Sequence, residues 1–412
     1  MEWSDDFIRF SRWNGDCNNI GVATCVYLVG GVSLRGSDFM KKMMFGIGCG
    51  LMFVSSWMFG QTPTGPSAVT MDNLITKLKI KGRVALGFNK GETDATFQAG
   101  SFDVPDMKVW FTFSPDEQNE LTARFNLNNA AANTPLLDYA FFQSKDFIPY
   151  LKGTPFSLSG KLGRMKLGVG EETFSDNPVE GPLTSNSAAA VGGSDEGAEL
   201  STKVGSFSVS NGARGVVSDN GMAKAWMSKL FYAPLNYLDL SGHYYHSGSL
   251  KGQSSEVSIA GIIAPPSGAL NWKRQVWGVD LRYDFVRGTK PLNPPSASDS
   301  KAIMRLSYGQ FADMVTNASH RSGQFGFMDG LYNWTSKIFS SARVSFIGLN
   351  GHQIQSLNSV SANHYERYSL GVGYRWFENT HLRFGYDHNV NGGDGISDAN
   401  DDLVSAYVTI HL

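Results

Sequence analysis

The chain has 412 residues, a formal net charge of −2, and only 17% charged residues, where roughly 25% is usual in soluble domains. It is 42% hydrophobic and 12% aromatic and contains 46 glycines. This composition disfavours intrinsic disorder, and the near-zero charge gives no sign of nucleic-acid binding. Only residues 43–60 approach the ~18 apolar residues of a membrane helix, so a polytopic helical membrane protein is excluded. An all-β protein is the class that remains.

The first 60 residues have the features of a targeting segment that begins at an internal methionine. Lys41 and Lys42 precede an apolar stretch that runs to Phe59, which is the order of a secretory signal peptide. We therefore predict a mis-called extension over 1–39, a signal peptide over 40–60 and a short periplasmic segment over 61–77. A single membrane-anchoring helix at 43–60 is the alternative.

All three cysteines lie in this N-terminal region, at positions 17, 25 and 49. The long remainder of the chain has none. Absence of thiols suits an oxidising compartment, where stray cysteines would cross-link. The cysteine distribution therefore favours export.

From residue 78 to the end, apolar and polar residues alternate strictly. In 366–377 one face carries Tyr368, Leu370, Val372, Tyr374 and Trp376, whereas the other carries Arg367, Ser369, Gly371, Gly373 and Arg375. Such alternation indicates strands with one apolar and one polar face. Aromatic residues at the ends of the apolar faces favour a membrane barrel over a soluble sandwich. A sandwich of this length would also need two or more domains, and no linker is visible.

Sixteen strands can be counted, an even number as bacterial barrels have. They are predicted at 78–89, 106–114, 119–128, 135–144, 156–168, 198–203, 206–211, 221–232, 236–247, 273–287, 301–312, 322–334, 339–349, 366–377, 380–389 and 402–412. The connections alternate between long and short, which predicts long extracellular loops and short periplasmic turns. The predicted fold over 78–412 is thus an all-β, transmembrane antiparallel β-barrel of about 16 strands with long extracellular loops.

Cations outnumber anions on the polar faces, which would line the lumen. The candidate pore-lining residues are Lys79, Lys81, Arg83, Arg124, Lys161, Arg164, Lys166, Arg282, Arg305, Arg343, Arg367, Arg375 and Arg383. A wall with one sign of charge concentrates the opposite ions, so these residues predict a preference for anions. The alternative is that neighbouring Asp and Glu residues pair with them and leave no selectivity.

The connection 169–197 is the longest and is rich in Gly, Ser and Ala, so it could fold back and narrow the barrel. Its candidate constriction-loop acids are Glu171, Glu172, Asp176 and Glu180. A register change in the preceding strand predicts a β-bulge at Gly163 that would turn Lys161, Arg164 and Lys166 inward. A plain extracellular loop is the alternative.

Other chemistry has weak support in the sequence. The acidic segment Asn391–Asp402 lacks the spacing of a calcium loop, and the histidines lack zinc-ligand spacing. No cofactor or metal is therefore expected. His246, its neighbour Ser247 and His388 lie near strand ends, where interfacial histidines are the favoured interpretation over a hydrolase site.

Three segments resemble the phosphate-selective porin O and P family. They are Gly160–Gly168 with Glu171-Glu172, then Gly197–Leu200 followed by Phe207–Gly212, and Gly100–Phe102 near Asp106. The resemblance implies a sixteen-stranded outer-membrane barrel, often trimeric, that passes anions or other small solutes.

The predicted function is an outer-membrane porin of a Gram-negative (diderm) bacterium, forming a water-filled channel for passive diffusion of small hydrophilic solutes with an anion preference, phosphate-like or general. The expected partners are outer-membrane lipid, these solutes and two further copies in a homotrimer, with no nucleic acid. The protein is not expected to be an enzyme. Two alternatives stay open: a barrel that sheathes a partner such as an electron-transfer cytochrome, and an outer-membrane enzyme.

Overall fold

The computed structural model describes residues 77–411, apart from 96, 129–135, 171–182, 214–223, 236, 286–299, 317–319, 352–353, 359 and 394–397. Within these residues, sixteen strands form one closed antiparallel barrel. The barrel confirms the predicted all-β antiparallel barrel of sixteen strands, whereas the long extracellular loops stay a prediction. The predicted extension 1–39, the signal peptide 40–60 and nearly all of the segment 61–77 lie outside the described residues and stay predictions.

The described chain has twenty strands and one short 3₁₀-helix, Pro149–Leu151. The strands are β1 (Leu78–Gly91), β2 (Ser101–Phe113), β3 (Asn119–Asn126), β4 (Leu137–Ser144), β5 (Ser159–Lys166), β6 (Val191–Gly192), β7 (Ser194–Ser201), β8 (Gly205–Ser210), β9 (Ala225–Leu235), β10 (Leu238–His246), β11 (Ser258–Ile259), β12 (Trp272–Asp284), β13 (Ala302–Val315), β14 (Arg321–Asn333), β15 (Ile338–Leu349), β16 (Gln355–Leu357), β17 (Val360–Ala362), β18 (His364–Phe377), β19 (Thr380–Gly392) and β20 (Leu403–His411). Among the described residues, no helix is long and apolar enough to span a bilayer.

The barrel closes because its first and last strands pair with each other. β1 and β20 run antiparallel, with Arg83 opposite His411 and Gly91 opposite Leu403. Each other barrel strand pairs with its neighbours along the chain, whereas β6 pairs with β11 and β16 with β17 outside the barrel ladder. Closure leaves the barrel no free strand edge to pair with another chain.

The apolar faces point outward. Leu370 in the middle of β18 is 61% exposed and Leu230 in β9 is 71% exposed, although both are large apolar side chains. Trp376 near the end of β18 and Trp277 in the middle of β12 are also exposed. Buried polar residues occupy the alternate positions of the same strands. This inside-out distribution is that of a transmembrane barrel, and it is opposite to that of a soluble sandwich.

The two ends of the barrel differ in their connections. Short turns join β7 to β8, β14 to β15 and β18 to β19 at the end that also carries the start of β1 and the end of β20. At the other end lie the connections 167–193, 247–271 and 350–363, which contain the four short strands. These three connections reach the barrel interior, as described below.

Strand β2 begins earlier than predicted. The prediction placed its start at 106. The structure extends the strand back to Ser101, with a register shift opposite Ala85 and Gly87 that accommodates Val104 and Pro105. A β-bulge is one of the few places where a strand tolerates proline.

The bulge predicted at Gly163 is absent. Both ladders of β5 keep a continuous register, with Gly163 opposite Phe141 on one side and Gly197 on the other. Gly163 instead has a φ of 129°, and a Cβ there would lie 2.4 Å from the carbonyl oxygen of Ala140. Glycine thus lets β5 approach β4 closely without an inserted residue.

Candidate functional site

A row of charged side chains crosses three strands of the inner wall. Asp329 of β14 lies opposite Arg305 of β13 and Arg343 of β15. Arg305 donates two hydrogen bonds to its carboxylate, Nε to Oδ1 at 2.9 Å and Nη2 to Oδ2 at 2.6 Å, and Arg343 donates through Nη2 at 3.1 Å. All three side chains are buried. One carboxylate therefore serves two guanidinium groups.

A second arginine pair shares Asp313 nearer the long connections. Arg274 forms a two-pronged bond with this carboxylate, both contacts at 2.8 Å, and Arg321 donates Nε to it at 2.7 Å. Other nitrogens of the two guanidinium groups bind backbone carbonyls of the connection 247–271, and Nη1 of Arg321 donates to the Gln355 side chain at 2.8 Å. Arg274 donates to Val257 and Ile262, and Arg321 donates to Ala264. This cluster ties the connection to the wall.

Residues 183–190, one described part of the predicted constriction loop 169–197, lie against the inner wall of β15, β18 and β19. Three arginines donate to their carbonyl oxygens: Arg383 to Leu183 at 2.9 Å, Arg343 to Ser185 at 3.1 Å and Arg367 to Asn186 at 2.9 Å. The Ser185 hydroxyl also donates to Asp387 at 2.8 Å, and the Ala188 amide donates to the Ser345 hydroxyl at 2.8 Å. Because buried carbonyls need donors, arginines of the wall hold this segment inside the barrel.

An apolar cluster fills part of the interior. Its members from the three long connections are Leu167, Val169, Ala188, Ala189, Val191, Val257, Ile259, Ala260, Ile262, Leu357 and Ala362. They pack on inward residues of β9, β10, β12–β15 and β18, namely Ala225, Met227, Tyr245, Val276, Phe311, Phe325, Phe327, Ile347, Leu349 and Tyr365. Among the described residues, β1–β4, β19 and β20 contribute nothing to this cluster. The connections therefore narrow the lumen from one side.

On the side of β1–β5, the predicted cations contact acids. Asp106 binds both Arg83 and Lys108, the latter at 3.0 Å. Arg124 binds Asp138, and Lys161 binds Glu199 at 2.8 Å. These contacts match the alternative in which neighbouring acids pair with the inward cations. Asp106, like Asp329, contacts two cations.

The other predicted cations have varied surroundings. Arg164 contacts Glu196 at 2.8 Å and Glu256 at 3.4 Å, and Arg282 lies 3.8 Å from Asp284. Arg375 is buried, lies over the ring of Phe339 and donates to the Ser336 carbonyl. Lys79 and Lys81 are exposed near the start of β1, and Lys166 is half-buried at the end of β5. Whether these side chains attract anions stays a prediction.

The predicted constriction-loop acids Glu171, Glu172, Asp176 and Glu180 lie outside the described residues.

Sequence reasoning missed Arg274, Arg321 and Asp313, which hold the connection 247–271 against the barrel wall. Arg274 shares its strand face with the apolar residues Trp272 and Val276, so this face does not look polar in the sequence. The available signal was an arginine at the boundary between a strand and a long connection. Its partner could not be inferred, because Asp313 lies 39 residues further along the chain.

The Asp280–His243 group and the neighbours His246 and Ser247 show no arrangement for nucleophilic catalysis. Asp280 accepts hydrogen bonds from Ser307 at 2.7 Å and Ser241 at 3.1 Å, and it lies 3.3 Å from Nδ1 of His243. The serines thus bind the acid rather than the histidine, whereas a triad needs histidine between them. Ser247 is buried and donates to the Gly248 carbonyl. It does not serve His246, whose ring stacks on Trp226.

The acidic segment near β20 is internally hydrogen-bonded. Asp402 accepts from Tyr386, from His388 and from the Asn389 amide, and Asp398 accepts from the Asn391 amide. Burial raises the pKa of the Asp402 carboxyl, but the hydrogen bonds from Tyr386, Asn389 and His388 outweigh it, so its pKa lies below the ordinary value. Among the described residues, no group of three or more His, Cys, Asp or Glu side chains could hold a metal ion.

Solved structures share this barrel. The chain matches the outer membrane channel DcaP of Acinetobacter baumannii with a TM-score of 0.52 and 10% identity, over 81% of this chain and 97% of that chain. It matches an anion-selective porin from Comamonas acidovorans with a TM-score of 0.52 and 10% identity, over 81% and 98% of the two chains. The trimer form of OmpT, an outer membrane protein of Vibrio cholerae, gives a TM-score of 0.51 and 11% identity, over 81% and 99%.

Identities this low show the β-barrel fold and nothing finer. No protein-family model matches the chain, and no curated protein matches it either. The resemblance to the phosphate-selective porin O and P family therefore stays a prediction.

Proposed function

We propose that this protein is an outer-membrane porin, a channel through which small hydrophilic solutes diffuse, with residues 183–190 forming part of its constriction. One observation carries the proposal. A closed sixteen-stranded barrel presents apolar residues to lipid and charged residues to its interior, and arginines of the wall hold that segment inside. Barrels of this strand number leave an aqueous lumen. The fold shared with solved outer-membrane proteins supports the same location for this chain.

We further propose a preference for anions. Asp329 and Asp106 are each shared by two cationic side chains, Arg305 with Arg343 and Arg83 with Lys108. The sequence predicts more cations than acids on the inward faces, and a low-dielectric wall with an excess of positive charge concentrates anions. Phosphate specificity has no such support from the described geometry.

Planar-bilayer recording of the refolded chain tests both proposals. We expect stepwise conductance increases and, in a KCl gradient, a zero-current potential with the sign of chloride preference. Absence of conductance from correctly folded barrels would refute the channel. A potential with the sign of potassium preference would refute the anion preference alone.

The homotrimer stays part of the proposal. It is supported by the trimer form of one structural match, and native mass spectrometry in detergent tests it. The sheath alternative is disfavoured, because the apolar cluster occupies interior space where a partner would sit.

A further inference from the structure

Aromatic rings and cations alternate on the inner wall opposite the apolar cluster. Trp110, Tyr139 and Phe141, here called the aromatic band, lie on the inward faces of β2 and β4. The Arg83 guanidinium carbon is 5.3 Å from the centre of the Trp110 ring, and that of Arg124 is 5.7 Å from Trp110 and 4.3 Å from Tyr139. All three rings are half-buried, so part of each faces the lumen.

The band is held in place by its own contacts. Trp110 donates Nε1 to the Tyr139 hydroxyl at 2.9 Å, and the rings of Tyr139 and Phe141 are 5.7 Å apart. Nζ of Lys161 lies 5.8 Å from the Phe141 ring. The rings therefore form a continuous surface across β2 and β4, whose orientation does not depend on a bound solute.

The charges beside the band come as donor–acceptor pairs. Arg83 and Lys108 bind Asp106, Arg124 binds Asp138, and Lys161 binds Glu199. An anion entering here would compete with these carboxylates for the same donors. A hydroxyl group both donates and accepts, so it can bond to a cation and its carboxylate partner without separating them.

We propose that the aromatic band binds the apolar ring face of a neutral sugar, whose hydroxyl groups bond to the adjoining Arg–Asp and Lys–Glu pairs. A pyranose has flat C–H faces that pack on aromatic rings and a rim of hydroxyls that needs both donors and acceptors. Binding sites of this kind combine an aromatic surface with a few fixed polar groups. The inference rests on the proposed function in one respect, since a solute must enter the lumen to reach the band.

The test measures maltose binding to the detergent-solubilised chain by calorimetry, and maltose block of the current in planar bilayers. Two variants remove rings, Trp110→Ala and Phe141→Ala. The second is the milder change, because phenylalanine makes no hydrogen bond. Trp277→Ala is the matched control, since Trp277 is exposed on the outer face. Loss of one stacking ring is expected to weaken maltose binding about tenfold, while the control binds as the original chain does.

Calorimetry separates this inference from the proposed function. If maltose binding depends on the aromatic band but the chain does not conduct, the sugar-binding inference holds and the proposed channel function is refuted. A conducting chain that binds no maltose would overturn the inference, as would maltose binding that both ring variants retain. Tighter binding of benzoate than of maltose would overturn it too, by assigning the band to aromatic anions.

Discussion

At the scale of single residues, the inward arginines make contacts that extend beyond ion pairing. Arg343 binds Asp329 and also the Ser185 carbonyl, so one side chain links the barrel wall to residues 183–190, here called the interior segment. Arg274 does the same for Asp313 and the connection 247–271. A guanidinium suits this task because it has five donors in a fixed plane and no acceptor. Charge and loop placement are therefore coupled in this barrel.

Asp329 provides the sharpest test of this coupling. Asp329→Asn leaves Arg305 and Arg343 buried beside each other without their shared carboxylate, and breaking a buried pair of this kind costs about 3–5 kcal/mol. We expect a lower free energy of unfolding, measured by urea titration in detergent micelles. We also expect a zero-current potential shifted further toward chloride.

Glu117→Gln is the control for Asp329→Asn, because Glu117 is exposed in the turn after β2. It removes the same charge from a site in water and should change neither quantity. Equal unfolding curves for the two variants would contradict the proposed role of Asp329.

At the scale of elements, hairpin turns and interior connections depend on different contacts. The turn between β2 and β3 is local, since Asp116 Oδ1 accepts from the backbone amides of Gln118 at 2.8 Å and Asn119 at 2.7 Å. This is the Asx-type geometry for which aspartate is favoured in turns. The interior segment 183–190 instead depends on strands more than 150 residues away along the chain, as the bond from Arg343 to Ser185 shows.

Asp116→Ala should lower the free energy of unfolding by about 1 kcal/mol, the net contribution of a typical hydrogen bond. The side-chain hydrogen bond from Asn119, with help from the backbone amides, holds the pKa of Asp116 below its ordinary value of 3.8. The ionised form is thus favoured by folding, and its contribution is present above pH 3.8 and lost as pH falls through the lowered pKa.

The unfolding difference between the original chain and Asp116→Ala should therefore be constant near neutral pH and shrink in acid. Urea titrations at several pH values measure it. A difference that grows as the pH falls would contradict this assignment.

The interior segment can be tested with thiol chemistry, because a chain without residues 1–60 has no cysteine. Asn186 is exposed, although residues 187–189 beside it are buried. We expect Asn186→Cys to lose conductance when a bulky thiol reagent is attached, since the added group would enter the constriction. Single-channel recording before and after labelling measures the loss.

The matched control is Gln98→Cys, an exposed position in the connection between β1 and β2. Labelling there should leave the conductance unchanged. If both labelled variants conduct as before, the segment 183–190 does not narrow the pathway.

At the scale of the whole molecule, stability depends on hydrocarbon covering the outer wall. Leu370 lies at the centre of β18 on the outward face, whereas Leu270 lies in the connection 247–271 and is 81% exposed. Both leucines are exposed, but the fold places one against lipid and the other in water. The same substitution should therefore have different consequences at the two positions.

Leu370→Arg should destabilise the barrel in lipid bilayers by about 2–4 kcal/mol, the usual cost of arginine near the bilayer midplane. Leu270→Arg should change stability little, because arginine is well solvated in a water-exposed loop. Urea unfolding in liposomes, followed by tryptophan fluorescence, compares them. Similar stabilities for the two variants would contradict the transmembrane placement of β18.

The sequence by itself determined the sixteen barrel strands and their outward faces. Alternation is read from residues close together in the chain, and in a membrane barrel every apolar face points toward lipid. It suggested 169–197 as a connection that could fold inward, beside the alternative of a plain extracellular loop, and gave no such signal for 247–271 or 350–363. Only the tertiary structure decided which acid each inward cation meets, as with Arg274 and Asp313. It alone brought Trp110, Arg124 and Tyr139 together across three strands. The reason is physical: an inward face is read from neighbours two residues apart, whereas contacts across the lumen depend on barrel closure, register and the packing of distant connections.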